Sequence, residues 1–415
     1  MLKVWTAERP AGRLDRNRGG SGPGATFAYG AEAGPGDAVS LTMPTRLESY
    51  DQPFGLHPIF EMNLPEGALR ERLRLRFAKA TGRFDDLDLL AVTGRSQMGR
   101  IRYTAPNGAL DAGVPLQPVD DILARRRDGD LFRQLLDSFA PHSGISGVQP
   151  KVLVRDPDTA LKLSGPGTAG RVSFQAATHI VKFWDPAEYP HLAANEYFCL
   201  EAARRCGLEV ARARLAEDGA ALVVDRFDLG RDGTYLGMED FCVLNGTATA
   251  RKYEGGYEKS VFRRLKDFMA GDVEGWRRDA GRLFTLFVLN AAIRNGDAHL
   301  KNFAVLYDGL DGPLRLAPAY DLVTTTAYLP ADRMALTLDG KPTWPDVKQL
   351  ERLGTTRCGL TPSDVRATLE RVADALATTL PDLRAFARDV PGFAEVATGM
   401  EAAWAEGTRT SLGNG

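Results

Sequence analysis

The feature that most restricts the fold of this chain is a change of period along its length. From about residue 151 to residue 228, apolar residues come in short runs at Lys151–Arg155, Ala160–Leu163, His179–Phe183, Val210–Leu215 and Ala220–Phe227. Such runs are the marks of strands. One helix interrupts them, Leu192–Cys206, with its apolar residues on one face, and Glu217-Asp218-Gly219-Ala220 carries the signal of a hairpin. After about residue 258 helical spacing takes over, in Val261–Met269, Val273–Ile293 and several segments from Pro362 onward. A β-rich part of about residues 140–228 followed by a helical part of about 240–415 predicts an α+β chain with two lobes and a cleft between them.

At 415 residues the chain exceeds what one hydrophobic core usually serves, so a second structural unit is expected. Leu2–Trp5, Thr26–Tyr29 and Val39–Met43 read as strands of a small N-terminal sheet, with Gly19–Gly24 as a loose turn. The polar, turn-rich stretch Thr104–Pro118 marks the junction and divides the chain into residues 1–110 and 111–415. Between these landmarks Glu66–Lys79 is helical, with Leu69, Leu73 and Phe77 on one stripe and Arg70, Arg72, Arg74 and Arg76 between them. A solvated basic face over a packed stripe is the reading carried forward. Arg125-Arg126-Arg127 sits among Asp120, Asp121, Asp128 and Asp130 and is given no function.

Charge balance narrows the function classes. Lys and Arg total 52 against 54 Asp and Glu, so no global field draws the chain to nucleic acid or an anionic membrane. Its four cysteines stand at no metal-ligand or C-x-x-C spacing. The most apolar stretch, Leu283–Ile293, contains Asn290 and is far shorter than the ~20 residues a bilayer requires. Met1-Leu2-Lys3-Val4-Trp5 lacks the apolar run of a secretory signal, so a cytoplasmic protein without a membrane segment is expected.

Chemistry concentrates at Asn295-Gly296-Asp297-Ala298-His299-Leu300-Lys301-Asn302, between the long helix and the strand Phe303–Tyr307. Phosphoryl transfer needs a carboxylate to take the proton of the attacking hydroxyl and a neutral oxygen ligand for Mg2+, and D-x-x-x-x-N places both on one loop. N-G-D is equally a good turn. Ala317-Pro318-Ala319-Tyr320-Asp321-Leu322 follows two short strands, the position of a second metal-binding carboxylate, so Asp321, Asn302 and the phosphates of ATP are the expected oxygen set for Mg2+. Upstream, Lys182 lies within the apolar strand Ile180–Phe183, where a buried ammonium requires an anion. Candidates are the nucleotide phosphates and Glu196 on the next helix; a lysine snorkelling from an edge strand fits as well. Ser143-Gly144-Ile145-Ser146-Gly147-Val148-Gln149-Pro150-Lys151 is a small-residue loop whose N–H groups could converge on phosphate, though it is no P-loop. Val223–Asp228, with Asp225 and Phe227, ends a strand where a hinge would offer backbone groups to adenine; a charged strand end fits it equally.

With S-G-V-Q-P-K, H-I-V-K-F, N-E-Y-F-C-L, V-D-R-F-D, N-G-D-A-H-L-K-N and P-A-Y-D-L in this order, the chain resembles the HipA-type toxin kinases of bacterial type II toxin–antitoxin systems over about residues 140–325. Leu2-Lys3-Val4-Trp5 and Asn63-Leu64-Pro65-Glu66 resemble that family's N-terminal domain more loosely. The resemblance implies a growth-inhibiting serine/threonine protein kinase whose target is a translation component such as an aminoacyl-tRNA synthetase. It also implies a helix-turn-helix antitoxin partner of the HipB type, through which alone DNA would be met. Carried onto this sequence, Asp297 is the catalytic base, Asn302 and Asp321 the Mg2+ ligands, and Lys182 a phosphate contact. Ser146, Gly147, Val148, Gln149, Lys151, Asp225, Phe227, His299 and Lys301 line the ATP site, and Glu196 partners the lysine. The family's autophosphorylation in the glycine-rich loop falls on Ser146, with Ser143 a weaker acceptor, because Gly144 replaces the first serine of the family's serine-x-serine. Small-molecule phosphotransferases of the aminoglycoside and choline type share the aspartate-to-asparagine spacing, and a non-catalytic antitoxin-binding member is a further alternative.

Overall fold

The computed structural model describes residues 1–17, 24–81, 84–111, 113–124, 129–164, 174–185 and 188–413. The Gly19–Pro23 part of the expected turn and Arg125–Arg127 lie outside the described residues. The chain forms two compact units: residues 1–183, 223–250 and 306–312 make the first, and residues 184–222, 251–305 and 313–415 the second. The expected boundary near residue 110 falls inside the first unit.

The first unit opens with an antiparallel sheet of β1 (Leu2–Thr6), β2 (Arg9–Arg16), β3 (Ala25–Tyr29), β4 (Tyr50–Gln52) and β5 (Ile101–Thr104), in the order β4-β3-β2-β1-β5. Leu2, Val4 and Thr6 of β1 point inward and the residues between them outward, the period-2 pattern of a sheet with one buried face. Gly12 pairs with both Val4 and Tyr29, and a Cβ there would lie 2.2 Å from the Ala28 carbonyl oxygen, so this close approach of strands requires glycine. The helix expected from Glu66 is Gly67–Thr81; it buries Leu69 and Leu73, while Arg70, Arg72 and Arg74 pair with Asp86, Asp137 and Glu71. These pairs match the reading of a solvated basic face.

Val39–Met43 is not a strand. Ser40 pairs only with Met43, whose N–H donates back to the Ser40 carbonyl at 3.1 Å. A backbone donor that a neighbouring strand would need is directed elsewhere: Leu41 N donates to the Glu239 carboxylate at 2.8 Å, and Ser40 Oγ donates to it at 2.8 Å as well. Glu239 is fully buried, also accepts from Tyr307 Oη at 2.6 Å, and has its pKa pushed up to about 7 by burial against the pull of those three donors.

Within the same unit, β6 (Lys151–Val154) and β7 (His179–Lys182) pair antiparallel with Lys151 opposite Lys182, and residues 223–225 lie on the other side of β7. Both strands are buried throughout. The segment Ala160–Leu163, expected as a strand, belongs instead to a helix, Pro157–Leu163. Asp156 caps it by accepting from Thr159 N at 2.9 Å and Pro157 sits in its first turn, and this local start signal outweighs the apolar alternation that follows.

The second unit is mainly helical. Pro362–Asp389, begun by a capping box between Thr361 and Asp364, packs against Leu192–Arg205, Val273–Ala292 and Val347–Cys358. Ala394–Gly407 approaches Val273–Ala292 so closely that a Cβ on Gly407 would stand 1.9 Å from the Ala292 carbonyl oxygen. The expected helix Val261–Met269 begins earlier, as a π-helical segment Tyr257–Arg263 running into Arg264–Phe268. The strand expected at Val210–Leu215 shrinks to Ala213–Leu215, with Val210 making an isolated bridge to Ala319. Among the described residues no helix is long and apolar enough to cross a membrane.

Candidate functional site

The helix Val273–Ala292 buries nearly every residue of its last two turns and stops where Arg294 takes a left-handed backbone, φ 57°. Asn295 closes the end: its N–H donates to the Asn290 carbonyl at 2.9 Å, its Nδ2 to Asn290 Oδ1 at 2.6 Å, and its Oδ1 accepts from Asp297 N at 3.1 Å. His299 N then donates to the Asp297 carbonyl at 2.7 Å, and Asn302 Nδ2 reaches the same carbonyl at 2.8 Å. The five-residue spacing of Asp297 and Asn302 is thus the span of one tight loop held across its base by the asparagine. With its Nδ2 donating there, the Asn302 amide offers its oxygen as the remaining ligand atom.

Neighbouring segments fix this loop. Gly296 N donates to Thr325 Oγ1 at 2.8 Å, and Thr325 Oγ1 donates to Asp332 Oδ2 at 2.5 Å. A Cβ at position 296 would lie 2.0 Å from Asp332 Oδ2, which explains the glycine. Tyr257 Oη donates to the Ala298 carbonyl at 2.9 Å, and Leu300 N to the Lys252 carbonyl at 3.2 Å. Tyr320 Oη donates to the Lys301 carbonyl at 2.7 Å, drawing the Asp321 segment to the loop. Asp321 itself is left-handed, φ 52°, and the residues after it are anchored by Asn195, whose Oδ1 accepts from Thr324 N at 2.8 Å while its Nδ2 donates to Thr324 O at 3.1 Å. Trp404 Nε1 completes the anchor by donating to Thr324 Oγ1 at 2.8 Å.

The electrostatics follow from this packing. Asp297 keeps 47% of its side chain exposed, yet the protein around its other side raises its pKa above the ordinary carboxylate value, against a hydrogen bond from Tyr253 Oη at 2.6 Å that lowers it. The charges of Asp321 and Asp332 raise it further. His299 is buried, its pKa lowered to about 3 by that burial first and by Lys252 next, so its imidazole is neutral at neutral pH. Its Nδ1 has no hydrogen-bond partner among the described residues. Asp297, His299, Lys301, Asn302 and Asp321 therefore form one cluster, with Tyr253 against its solvent side.

The other sequence-derived residues are mostly in the first unit. Ser143 is fully buried, its Oγ donating to Phe139 O and accepting from Leu153 N, both at 2.8 Å, so it serves the loop's base. Gly144 is pinned by Gly144 N to Ser96 O at 2.9 Å, and a Cβ there would lie 2.1 Å from Gln97 Nε2. Ser146 is half-buried and Val148 exposed. Gly147, φ 108°, donates to Glu66 Oε1 at 3.1 Å, and a Cβ on it would meet Lys151 Nζ at 2.4 Å. Gln149 Nε2 donates to Phe183 O at 3.0 Å. Directly opposed on β6 and β7, the buried Lys151 and Lys182 project to one face of their sheet. Asp225 Oδ1 lies 3.2 Å from His179 Nε2, and Phe227 is half-buried. Glu196 is buried on Leu192–Arg205 and belongs to the second unit, whereas Lys182 belongs to the first.

Sequence reasoning missed Tyr253, Tyr257, Thr325 and Asp332. The signal for the first two was Lys252-Tyr253-Glu254-Gly255-Gly256-Tyr257, a glycine pair between tyrosines, with Gly255 at φ 112°.

The architecture defines a class: a mixed α+β protein with a β-rich N-terminal region, a helical C-terminal region and an Asp–Asn loop closing the long helix. Residues 143–380 match the sequence model of the HipA-like C-terminal domain and residues 2–104 that of the HipA N-terminal domain. The chain belongs to the HipA family. It is 33% identical over 352 residues to the kinase-named protein Y4mE of Sinorhizobium fredii, covering 79% of this chain and 78% of that one. Identity to the serine/threonine-protein kinase toxin HipA of Shewanella oneidensis is 27% over 266 residues, 58% of this chain and 57% of the toxin. The structure of that organism's HipA, solved with HipB and operator DNA, superposes with a TM-score of 0.66 at 21% identity, over 100% of this chain and 98% of the other.

Proposed function

We propose that the chain is an ATP- and Mg2+-dependent serine/threonine protein kinase that acts as a growth-inhibiting toxin in the cytoplasm. The observation that carries this reading is the closed Asp297–Asn302 loop with Asp321 beside it. A raised but ionisable carboxylate at Asp297 suits a general base for an acceptor hydroxyl. Asn302 and Asp321 offer hard oxygen donors of the kind Mg2+ takes, and a bound Mg2+ supplies positive charge to the phosphate oxygens. The buried, unpartnered Nδ1 of His299 suits a loop that receives a polar ligand.

The remaining residue roles follow the same reading. Lys151 and Lys182, on one sheet face, suit the phosphates of ATP, and Gly147, with no room for a Cβ, suits backbone approach to them. Ser146 to Gln149 would supply amides, Asp225 and Phe227 the adenine contacts, His299 and Lys301 the loop side, and Glu196 the partner of Lys182. Ser146 is the autophosphorylation acceptor in this proposal. Ser143, locked by two buried hydrogen bonds, would have to leave its place first. The family-matched segments support a division into an N-terminal domain of 1–110 and a kinase-like region of 111–415. The relatives support a HipB-like antitoxin partner and a protein target in translation such as an aminoacyl-tRNA synthetase.

Incubating the full chain with labelled ATP, Mg2+ and a bacterial extract tests this. A discrete labelled protein that vanishes with Asp297→Ala, and self-labelling that vanishes with Ser146→Ala, are expected. Label found only on small molecules would overturn the protein-kinase reading in favour of a small-molecule phosphotransferase.

A further inference from the structure

Two tyrosines four residues apart reach the Asp297 loop in opposite ways. Tyr257 is buried, and its hydroxyl donates to a backbone carbonyl, that of Ala298, a structural bond. Tyr253 is 51% exposed, and its hydroxyl donates to the carboxylate of Asp297, Oδ1, at 2.6 Å. The backbone around Tyr253 is already held without its side chain. Leu300 N donates to Lys252 O at 3.2 Å, Thr337 N to Gly255 O at 3.2 Å, and Tyr257 N to Thr337 O at 2.9 Å. Its ring lies edge-on to His299, centroids 4.9 Å apart, with the Lys252 ammonium 5.5 Å from its centroid, and about half of the residue faces solvent. The side chain can swing out while the strap stays in place.

An attacking hydroxyl must come within about 2.6–3.2 Å of a general base. The Tyr253 hydroxyl sits at that distance and has the same chemistry, an O–H donating to the carboxylate. We propose that Tyr253 occupies the acceptor's place on Asp297 and is displaced when a seryl or threonyl hydroxyl docks. While in place, it also takes the Oδ1 position that a water would otherwise use. The proposal rests on Asp297 being the base. It adds a residue that sets access to that base, through a side chain rather than a moving loop.

The test compares the full-length wild type with Tyr253→Phe, Asp297→Asn and the double variant, measuring hydrolysis of Mg-ATP to water and transfer to dephosphorylated casein. Losing one hydrogen bond to a carboxylate should raise basal hydrolysis by roughly three- to tenfold in Tyr253→Phe. The casein KM should fall with kcat nearly unchanged, and the double variant should match Asp297→Asn. A fall or no change in hydrolysis for Tyr253→Phe, with Asp297→Asn inactive, overturns the proposal and leaves the base intact. Undiminished activity in Asp297→Asn, or no activity in any form, overturns the kinase assignment itself. An activity-independent reading uses 3-fluorotyrosine at position 253 in nucleotide-free protein. Its 19F line should move in Asp297→Ala, and an unmoved line overturns the contact.

Discussion

Replacing Glu239 by Gln should remove a pH dependence of stability from the first unit while leaving its hydrogen bonds in place. The Glu239 Oε1 position accepts from Leu41 N and Tyr307 Oη, which a glutamine oxygen can continue to do. The Oε2 position faces Ser40 Oγ, which can turn its proton to Thr42 Oγ1, 2.9 Å away, and accept from a glutamine N–H instead. In the unfolded chain the carboxyl ionises near 4.5, whereas burial lifts it to about 7 in the fold. The folded state thus holds its proton longer. The carboxyl's contribution to stability is full below pH 4.5 and is lost as pH rises through 7. At about 1.36 kcal/mol for each pH unit, moving from 4.5 to about 7 makes a loss of about 3 kcal/mol. Urea unfolding at several pH values, read by pulsed hydrogen exchange on first-unit peptides, gives the wild-type minus Glu239→Gln difference, in which other titrating groups cancel. That difference should fall by about 3 kcal/mol between pH 4 and pH 8. A difference that stays constant across the range would refute the argument.

Gly144→Ser should lift the 143–149 loop from its seat on Ser96 and Gln97, at a cost of about 1–3 kcal/mol, seen as faster hydrogen exchange there. Asn195→Ala removes both bonds to the Thr324 backbone and leaves buried polar groups behind, so a loss of about 2–4 kcal/mol is expected in thermal unfolding of the second unit. His299, with a folded pKa near 3 against an ordinary 6.5, should show a neutral imidazole by 15N NMR at pH 5. Its contribution to stability is full above 6.5 and is lost as pH falls toward 3, so His299→Asn should flatten the acid side of the stability curve.

The loop that carries the chemistry was legible because its logic is local: a long amphipathic helix, an Asn-Gly-Asp turn and an asparagine five residues on. The fold's strands were legible where burial on both faces gave continuous apolar runs, as in β6 and β7. Two expectations failed for reasons that periodicity does not express. At residues 160–163 the cap Asp156 and Pro157 decide for helix. At residues 39–43 the competitor is Glu239, nearly two hundred positions away, and no window of sequence contains both. Tyr253 escaped for the same reason: its meaning depends on an aspartate 44 residues later.

Part of the support under the Asp297 loop comes from far downstream. Trp404 holds Thr324, Arg294 Nη1 donates to Ser411 Oγ at 3.0 Å, and Arg294 Nη2 to Glu406 O at 3.3 Å. The family-matched segment ends at residue 380, before any of these struts. A chain cut short after Asp321 by a broken message or a protease therefore carries every residue of the loop but lacks these downstream struts. Such fragments are complete in chemistry and lack part of the bonding that shapes the loop.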